Sequence, residues 1–188
     1  MDLIRSRRSI RHYTDQPVSS HLIDQLLEAA TRAPSSHNSQ PWRFVVITTS
    51  SMKAQLADRM GERLRADRLR ANDRVEQIDR DVTRSRGRIT SAPVVIIACL
   101  SIDSDDHYER LMAIQSVAAS IQNLLLAAHD VGLGACWMAA PLYCPDVVRD
   151  VLQLPDDWDA QALITIGYAA NDGRRKGRVD FREITIYR

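Results

Sequence analysis

The sequence carries almost no net charge, because 25 lysines and arginines are offset by 24 acidic residues to leave +1. No global field therefore favours nucleic acid, and no module of interleaved aromatic and basic residues suggests base stacking. Cysteine is scarce: the three thiols form no CxxC pair and fall in or beside apolar segments, at Cys99, Cys136 and Cys144. These absences exclude a nucleic-acid partner and a cysteine metal site from our expectations and favour a reduced, cytoplasmic setting.

Long hydrophobic runs are missing too. No uninterrupted run approaches the roughly 18 apolar residues that span a bilayer, and Met1 to Arg11 is charged rather than apolar. We therefore expect a soluble, unprocessed chain with no membrane partner. The 45% hydrophobic content can fill one sizeable core, so the sequence predicts a single domain over residues 1–188.

The first half of the chain predicts two helical regions and two strands. Apolar residues recur at helical spacing from His21 to Arg32, behind a serine cap. The runs Arg43 to Thr48 and Val94 to Leu100 read as buried strands, and the second should be central because it has no polar alternation. Between them, the arginine-rich stretch Ser51 to Arg88 predicts one long or two shorter surface helices.

Helices and strands are also predicted in the second half of the chain. Tyr108 to Val131 predicts a helix that is apolar around most of its circumference and must be covered on nearly all sides. Strands are predicted at Ala135 to Ala139 and Ala162 to Ala169, with a helix at Pro145 to Leu152 between them. The last stretch, Val179 to Arg188, ends in the β-like EITIY. The spacing is not regular βαβ, so the fold class we predict is α+β, a mixed sheet enclosed by helices.

Two basic clusters could bind an anion. The segment from Arg7 to Arg11 (RRSIR) gathers three guanidinium groups and a hydroxyl, which suit phosphate oxygens; a solvated basic N-terminus is an equally good interpretation. A second cluster, Gly173 to Arg178 (GRRKGR), lies near the other end of the chain. The two can share one phosphate only if the fold brings both ends together, which spacing does not show.

Two polar or glycine-rich segments could meet a flat ligand. The loop from Pro34 to Trp42 (PSSHNSQPW) offers hydroxyls and amides that could pair with a heterocycle edge, although turn chemistry alone explains its prolines and serines. After the long helix, Gly132 to Ala139 (GLGACWMA) could present bare N–H groups, or could be a helix cap followed by a core strand. The five histidines are scattered, and no HExxH, P-loop or GxSxG motif is present.

Together these segments resemble the FMN-dependent nitroreductase superfamily, in the right order and over almost the whole chain; the PSSxNSQPW string is the most specific element. The resemblance implies a nitroreductase-like intertwined homodimer with FMN at its interface. It implies that the FMN phosphate and ribityl chain are held by Arg7, Arg8, Ser9, Arg11, Lys176 and Arg178. The loop residues Ser35, Ser36 and Asn38 would lie on the flavin of the neighbouring subunit, and Gln40 would be a further cofactor contact. Met138 and Ala139 would lie near the flavin ring.

The stretch Ser51 to Ala169 also resembles the flavin domain of the bifunctional glutamate ligase of deazaflavin cofactor biosynthesis. That enzyme does not carry the PSSHNSQPW string, and no ligase domain is attached here.

The function implied is therefore a reductase in which NADH or NADPH and then a small acceptor react with FMN in a ping-pong sequence, with no catalytic side chain assigned. Two alternatives stay open: a reductase of a deazaflavin-type or other anionic metabolite, and a flavin-binding protein without turnover.

Overall fold

Helices and antiparallel strands alternate along the chain. A computed structural model describes residues 1–174 and 176–188. The helices there are α1 (Asp2–Ser6), α2 (Ser20–Thr31), α3 (Ser50–Arg70), α4 (Val75–Thr90), α5 (His107–Asp130) and α6 (Pro145–Leu152). The strands are β1 (Trp42–Ile47), β2 (Val94–Ser101), β3 (Gly134–Met138) and β4 (Trp158–Gly167), and short 3-10 turns span Ser36–Asn38, Ala140–Tyr143 and Phe181–Ile184.

The sheet has the order β1-β2-β4-β3, and every neighbouring pair of strands is antiparallel. Strand β2 lies inside the sheet, and its side chains alternate between two cores. Val94 and Ile96 point to one core, whereas Val95 and Ile97 point to the other. Because β2 is buried on both faces, its sequence shows no polar alternation, as expected for a central strand.

Helices cover both faces of the sheet, which confirms the predicted α+β class. On one face α2 and α5 contribute Leu26, Val117 and Ile121 to the core. On the other face α3 and α6 contribute Leu56 and Val148. The prediction of two shorter helices in the arginine-rich stretch is the one that holds, since α3 and α4 pack as a hairpin.

Ion pairs explain the arginine density of this α3–α4 hairpin. Seven of its ten arginines lie at salt-bridge distance from a carboxylate: Arg59, Arg63, Arg65, Arg68, Arg70, Arg84 and Arg86. Some of these pairs join the two helices, such as Arg86 with Asp58 at 2.5 Å. Most of the hairpin's positive charge is thus offset within the hairpin, and each exposed pair contributes little to stability.

Helix α5 bears on the expectation that no apolar run is long enough to span a bilayer. It contains an 18-residue window that is apolar enough, by length and composition, to cross a bilayer, although no uninterrupted run of that length exists. In the structure 44% of this window is buried inside the protein, where Val117, Ile121 and Leu124 pack on the sheet. Helix α5 is thus the main core helix of this face.

Two further expectations differ from the structure. We expected a mixed sheet, but all neighbouring strands of the four-stranded sheet are antiparallel. In the described part of the chain, parallel pairing occurs as one isolated bridge between Ser9 and Ala135. The β-like end from Val179 to Arg188 forms a 3-10 turn at Phe181–Ile184 and extended backbone. Within the described part of the chain no strand edge pairs with it, so its β-branched residues have no ladder to join.

The N-terminal segment docks on the ends of β3 and β4. The Ile10 amide donates to the Ala135 carbonyl at 3.0 Å, and the Thr14 amide donates to the Tyr168 carbonyl at 2.9 Å. Gly134 makes room for this docking, since a Cβ there would lie 2.7 Å from the Ile10 side chain. The same Ile10 side chain contacts Gly173, where a Cβ would lie 2.9 Å away. Ile10 therefore joins the two ends of the chain.

We predict that Gly134→Ala lowers the free energy of unfolding by about 1–3 kcal/mol, because the added methyl group collides with Ile10. Urea unfolding at a fixed protein concentration measures this. The matched control is Gly87→Ala in α4, where a Cβ meets nothing within 4 Å. That change should stabilise the protein by about 0.5–1 kcal/mol, and equal effects of the two substitutions would contradict the packing argument.

Candidate functional site

The docking of the N-terminal segment creates a cavity of about 1080 Å³, which we name the basic cavity. Its walls come from the N-terminal segment, the end of α4 and the segment after β4. Eight basic side chains line it: Arg5, Arg7, Arg8, Arg11, Arg88, Arg174, Lys176 and Arg178. The fold therefore brings the two basic clusters of the sequence together, apart from Arg175, which lies outside the described residues.

The charge of the basic cavity is not offset by its own walls. Asp172 is the one carboxylate among the described lining residues. In the part of the chain that the structure describes, none of the eight cations lies at salt-bridge distance from a carboxylate. The α3–α4 hairpin, by contrast, pairs most of its arginines. Like charges without partners repel one another, so the basic cavity suits an anionic ligand.

Three of the arginines gather beside the end of β3. Burial raises the pKa of the Cys136 thiol, whereas Arg11, Arg88 and Arg7 act in the opposite direction. These three arginines are half-buried, and each also lines the basic cavity. Sequence reasoning missed Arg88. Neither Arg86 nor Arg88 has an acidic residue three or four positions away in the sequence. Only the structure shows that Arg86 pairs with Asp58 and that Arg88 lines the basic cavity.

A second cavity, of about 720 Å³, lies against the basic cavity and shares the wall formed by Arg7, Arg8 and residues 171–173. The turn after α5 lines it, where Gly132 has a positive φ of 79°. His129 lies here too, with its Nε2 2.7 Å from the Ser6 hydroxyl. This contact attaches α1 to the end of α5, which is a packing role for that histidine.

The PSSHNSQPW loop lies elsewhere. Ser36 lines a third cavity of about 410 Å³, which also contains His37 and Met112. Asn38 and Gln40 are exposed, and their side chains meet where the Gln40 amide donates to Asn38 Oδ1 at 3.2 Å. Within one chain these residues do not line the basic cavity.

Hydrogen bonds hold this loop in a strained conformation. His37, Asn38 and Gln40 have positive φ values of 50°, 56° and 46°, which cost about 1–3 kcal/mol each for residues other than glycine. The backbone amide of Gln40 donates to the Ser35 hydroxyl at 3.1 Å, and the backbone amide of Ser36 donates to the Ser116 hydroxyl at 3.4 Å. A turn alone does not require three left-handed residues. The hydrogen bonds fix the loop in this shape, and the side-chain amides of Asn38 and Gln40 are exposed.

Met138 and Ala139 follow at the end of β3. Met138 is half-buried and packs against the core beneath α3 and α6, whereas Ala139 is exposed. Neither lines the basic cavity among the described residues. They stay predicted ring contacts, on the same strand as Cys136.

Tyr13 fixes the segment that carries the arginines. Its buried hydroxyl donates to the Ile10 carbonyl at 2.6 Å and lies 2.8 Å from Thr165 Oγ1 in β4. Burial raises the pKa of Tyr13 above its ordinary value, although the hydrogen bond with Thr165 acts in the opposite direction. The phenol therefore remains a neutral donor, and it ties Ile10 to the sheet interior.

Comparison with known proteins decides the family. The nitroreductase family model matches residues 4–168, which is most of the chain. This protein belongs to the nitroreductase family. The matched range includes the first basic cluster, the PSSHNSQPW loop and β3, but it ends before Lys176 and Arg178, whose place in the site rests on the geometry of the basic cavity.

Relatives and solved structures agree with this membership. A protein of Methanothermobacter thermautotrophicus, provisionally named NADH dehydrogenase/NAD(P)H nitroreductase, is 32% identical over 93% of this chain and 80% of its own length. A provisionally named nitroreductase from Desulfovibrio desulfuricans, solved in complex with FMN, is 28% identical, with a TM-score of 0.77 over 100% of this chain and 95% of that one. A BluB-like flavoprotein from Clostridium difficile shares the fold, with a TM-score of 0.87 at 24% identity over 99% and 97% of the two chains.

We predict that Tyr13→Phe lowers the free energy of unfolding of this nitroreductase-family protein by about 1–3 kcal/mol, because two buried oxygens lose their shared partner. Tyr187→Phe is the matched control, since Tyr187 is 81% exposed. Denaturant unfolding of both variants gives the comparison. A Tyr13→Phe variant as stable as the control would show that the hydroxyl does not hold the segment.

Proposed function

We propose that this protein is an FMN-dependent oxidoreductase in which NADH or NADPH reduces a small acceptor. The observation that carries the proposal is the convergence of two basic clusters, distant in sequence, on one cavity where none of the described cations pairs with a carboxylate. A phosphate monoester carries about −1.5 to −2 charges and several acceptor oxygens at neutral pH, which suits such a cavity. Family membership makes the phosphate of FMN the best candidate.

The residues present fit this cofactor. Arg7, Arg8, Ser9 and Arg11 would hold its phosphate and ribityl chain from one side of the basic cavity, and Lys176 and Arg178 from the other. Arg88 joins them from α4. Arginine forks bind phosphate oxygens through paired, charge-assisted hydrogen bonds, which are about twice as strong as neutral ones. The neighbouring cavity, at about 720 Å³, lies within the usual range of about 300–1,000 Å³ for cofactor sites, and the basic cavity, at about 1080 Å³, slightly exceeds it.

Residues of the PSSHNSQPW loop would complete the site from a second copy of the chain. Their fixed backbone and outward amides support a role for Ser35, Ser36, Asn38 and Gln40 on the flavin of the neighbouring subunit. The end of β3 would place backbone groups of Met138 and Ala139 beside the flavin ring. One chain alone cannot bring both sets together, because the loop and the basic cavity lie apart.

An intertwined homodimer follows from the same proposal. Helix α5 buries one face on the sheet, yet Leu111 is 42% exposed and Ile114 and Leu126 are only half-buried. The C-terminal end exposes five more large apolar side chains: Val179, Phe181, Ile184, Ile186 and Tyr187. A partner chain that covers α5 and receives the C-terminal end would bury these apolar side chains.

When bound, FMN supplies a two-electron carrier, so that nicotinamide and an electron-poor acceptor can react in turn in a ping-pong sequence. The chain's own contribution is positioning and electrostatics: the arginines hold the anionic end, and the loop and β3 fix the surroundings of the ring. We assign no side chain as proton donor. The buried, unpaired Cys99, Cys136 and Cys144 also suit the cytoplasm, which we propose as the location.

The test is an absorbance spectrum of the purified protein with added FMN, followed by anaerobic NADH or NADPH. Flavin uptake and rapid bleaching by a nicotinamide support the proposal. Slow bleaching with retained FMN supports a flavin-binding protein without nicotinamide turnover. A protein that takes up no FMN contradicts every flavin-based reading.

A second candidate is a reductase of an anionic, deazaflavin-type metabolite. The basic cavity favours this candidate, because its eight basic side chains carry more positive charge than one phosphate offsets. Turnover of a phosphorylated or carboxylated acceptor, with poor turnover of neutral nitroaromatics, would decide for it.

We predict that Arg7→Ala with Arg11→Ala weakens FMN binding at least about tenfold while the protein remains folded, because each lost charge-assisted hydrogen bond contributes about 1.5–3 kcal/mol. Fluorescence titration of the apoprotein with FMN measures the change. Arg74→Ala with Arg80→Ala removes the same charge from exposed positions of the hairpin and should leave the affinity within about twofold. Equal affinity of all three proteins would refute the phosphate assignment.

We further predict that deletion of residues 179–188 raises the monomer fraction, because five exposed apolar side chains leave the dimer contact. Sedimentation over a concentration series measures the dimer dissociation constant. Asp180→Asn with Arg182→Gln changes only polar groups of the same end and serves as the control. A deletion variant that dimerises as tightly as the control places the dimer contact elsewhere.

A further inference from the structure

Lys53, near the start of α3, is a buried cation that has no part in the proposed function. The residue is only 5% exposed. Its ammonium group donates to the Ala92 carbonyl at 2.6 Å and to the Pro93 carbonyl at 3.2 Å. Among the described residues no carboxylate lies at salt-bridge distance from it. The partners that the structure gives this cation are backbone oxygens.

Stability alone does not account for a lysine at this position. A buried ammonium group loses its hydration, and near the start of α3 it also lies close to the positive end of the helix dipole. An unbranched apolar side chain such as methionine would fill the same space without these costs. The reason for the ammonium group therefore lies in what its hydrogen bonds hold in place.

The two carbonyls belong to the junction between α4 and β2. Because α4 ends at Thr90, the ammonium group of Lys53 lies against its carboxyl-terminal end, where a cation interacts favourably with the helix dipole. Arg88 belongs to the last turn of α4, four residues before Ala92, and lines the basic cavity. Helix α4 packs mainly on α3, so this link to α3 fixes the backbone that carries Arg88.

The same junction adjoins the segment that carries the other arginines. The ring of Pro93 packs on Gly167 at the end of β4, where a Cβ would lie 2.6 Å from the proline Cδ. The ring of Tyr13 packs on the same glycine, with its Cδ1 3.0 Å from that Cβ position, and its hydroxyl fixes the N-terminal segment. The junction held by Lys53 is therefore next to two walls of the basic cavity.

We propose that Lys53 is a positioning residue of the anion site: its ammonium group holds the junction of α4 and β2, and so places Arg88 for the phosphate of FMN. This inference rests on the proposed function and adds to it a residue that does not touch the ligand. A cation that is already in place loses less conformational freedom when its ligand binds. The contribution of Arg88 to affinity should therefore depend on Lys53.

A double-mutant cycle measures this dependence, with the dissociation constant of FMN taken from fluorescence titration of the apoprotein. We expect Arg88→Gln to weaken binding at least about tenfold, as the loss of one charge-assisted hydrogen bond predicts. Lys53→Met should weaken it at least about fivefold, the lower end of the usual coupling between sites. The double variant should match Arg88→Gln within about twofold, because Lys53 acts through Arg88. Losses that multiply in the double variant would overturn the inference, as would unchanged affinity in Lys53→Met.

Ile78→Val is the matched control, because Ile78 is fully buried near the other end of the same helix. This change loosens the packing of α4 without touching its junction with β2, and should leave the affinity for FMN within about twofold. An equal loss of affinity in Ile78→Val and Lys53→Met would overturn the inference, since general packing of α4 would then explain both.

A measurement with Lys53 intact decides the matter if Lys53→Met does not fold. The chain has two lysines, Lys53 and Lys176, so isotopic labelling of lysine gives two sets of side-chain NMR signals, and Lys176→Arg identifies those of Lys53. Coupling is reciprocal, so FMN must act on Lys53 if Lys53 acts on FMN. FMN should shift the Lys53 signals of the unaltered protein, and shift them much less in Arg88→Gln.

Lys53 signals that do not move at saturating FMN, or that move equally in both proteins, would overturn the inference. If the unaltered protein binds no FMN, the proposed function itself fails. The two failures are therefore distinguishable.

Discussion

The contact of Ile10 with two glycines is the constraint on which the site depends. Its side chain fits against Gly134 at the start of β3 and Gly173 after β4, where any larger residue would collide with it. Backbone hydrogen bonds on both sides complete the docking, as the Ile10 amide meets the Ala135 carbonyl and the Ala170 amide meets the His12 carbonyl. Because the arginines flank Ile10 in sequence, this apolar contact decides where their charges lie.

The same arginine side chain has two roles in this protein, decided by its surroundings. On the α3–α4 hairpin, arginines are paired with aspartates and glutamates, and each pair contributes little to stability because it is exposed. In the basic cavity, the described arginines and one lysine gather without such partners. Their mutual repulsion is relieved when an anion binds, so a phosphate-bearing ligand should stabilise the folded protein in proportion to its affinity.

Much of the fold could be predicted from the sequence because local patterns carry it. The unbroken apolar run of β2 indicated a central strand, and the proline at the start of α6 marked its first residue. Strand direction was less accessible, since a short apolar run has the same appearance in parallel and antiparallel sheets. The C-terminal end looked β-like because its residues are β-branched, but a strand also needs a neighbouring edge, which one chain does not supply.

The candidate site was predictable in its parts but not in its assembly. Each basic cluster was visible as a run of letters, whereas their convergence depends on Ile10 and on the topology of β3 and β4. Arg88 was missed because its sequence surroundings match those of an ion-paired arginine. The loop from Pro34 to Trp42 was recognised by its letters, and its left-handed residues appear only in the structure.

Hydrogen–deuterium exchange with and without FMN tests the central claim most directly. If one contact joins the two chain ends around a phosphate, FMN should slow exchange together in residues 7–14 and 169–178, while the α3–α4 hairpin away from Arg88 changes little. The amides of Ile10 and Thr14 report on this docking, because both donate to the sheet. Slower exchange in only one of the two segments, or in neither, would contradict the account.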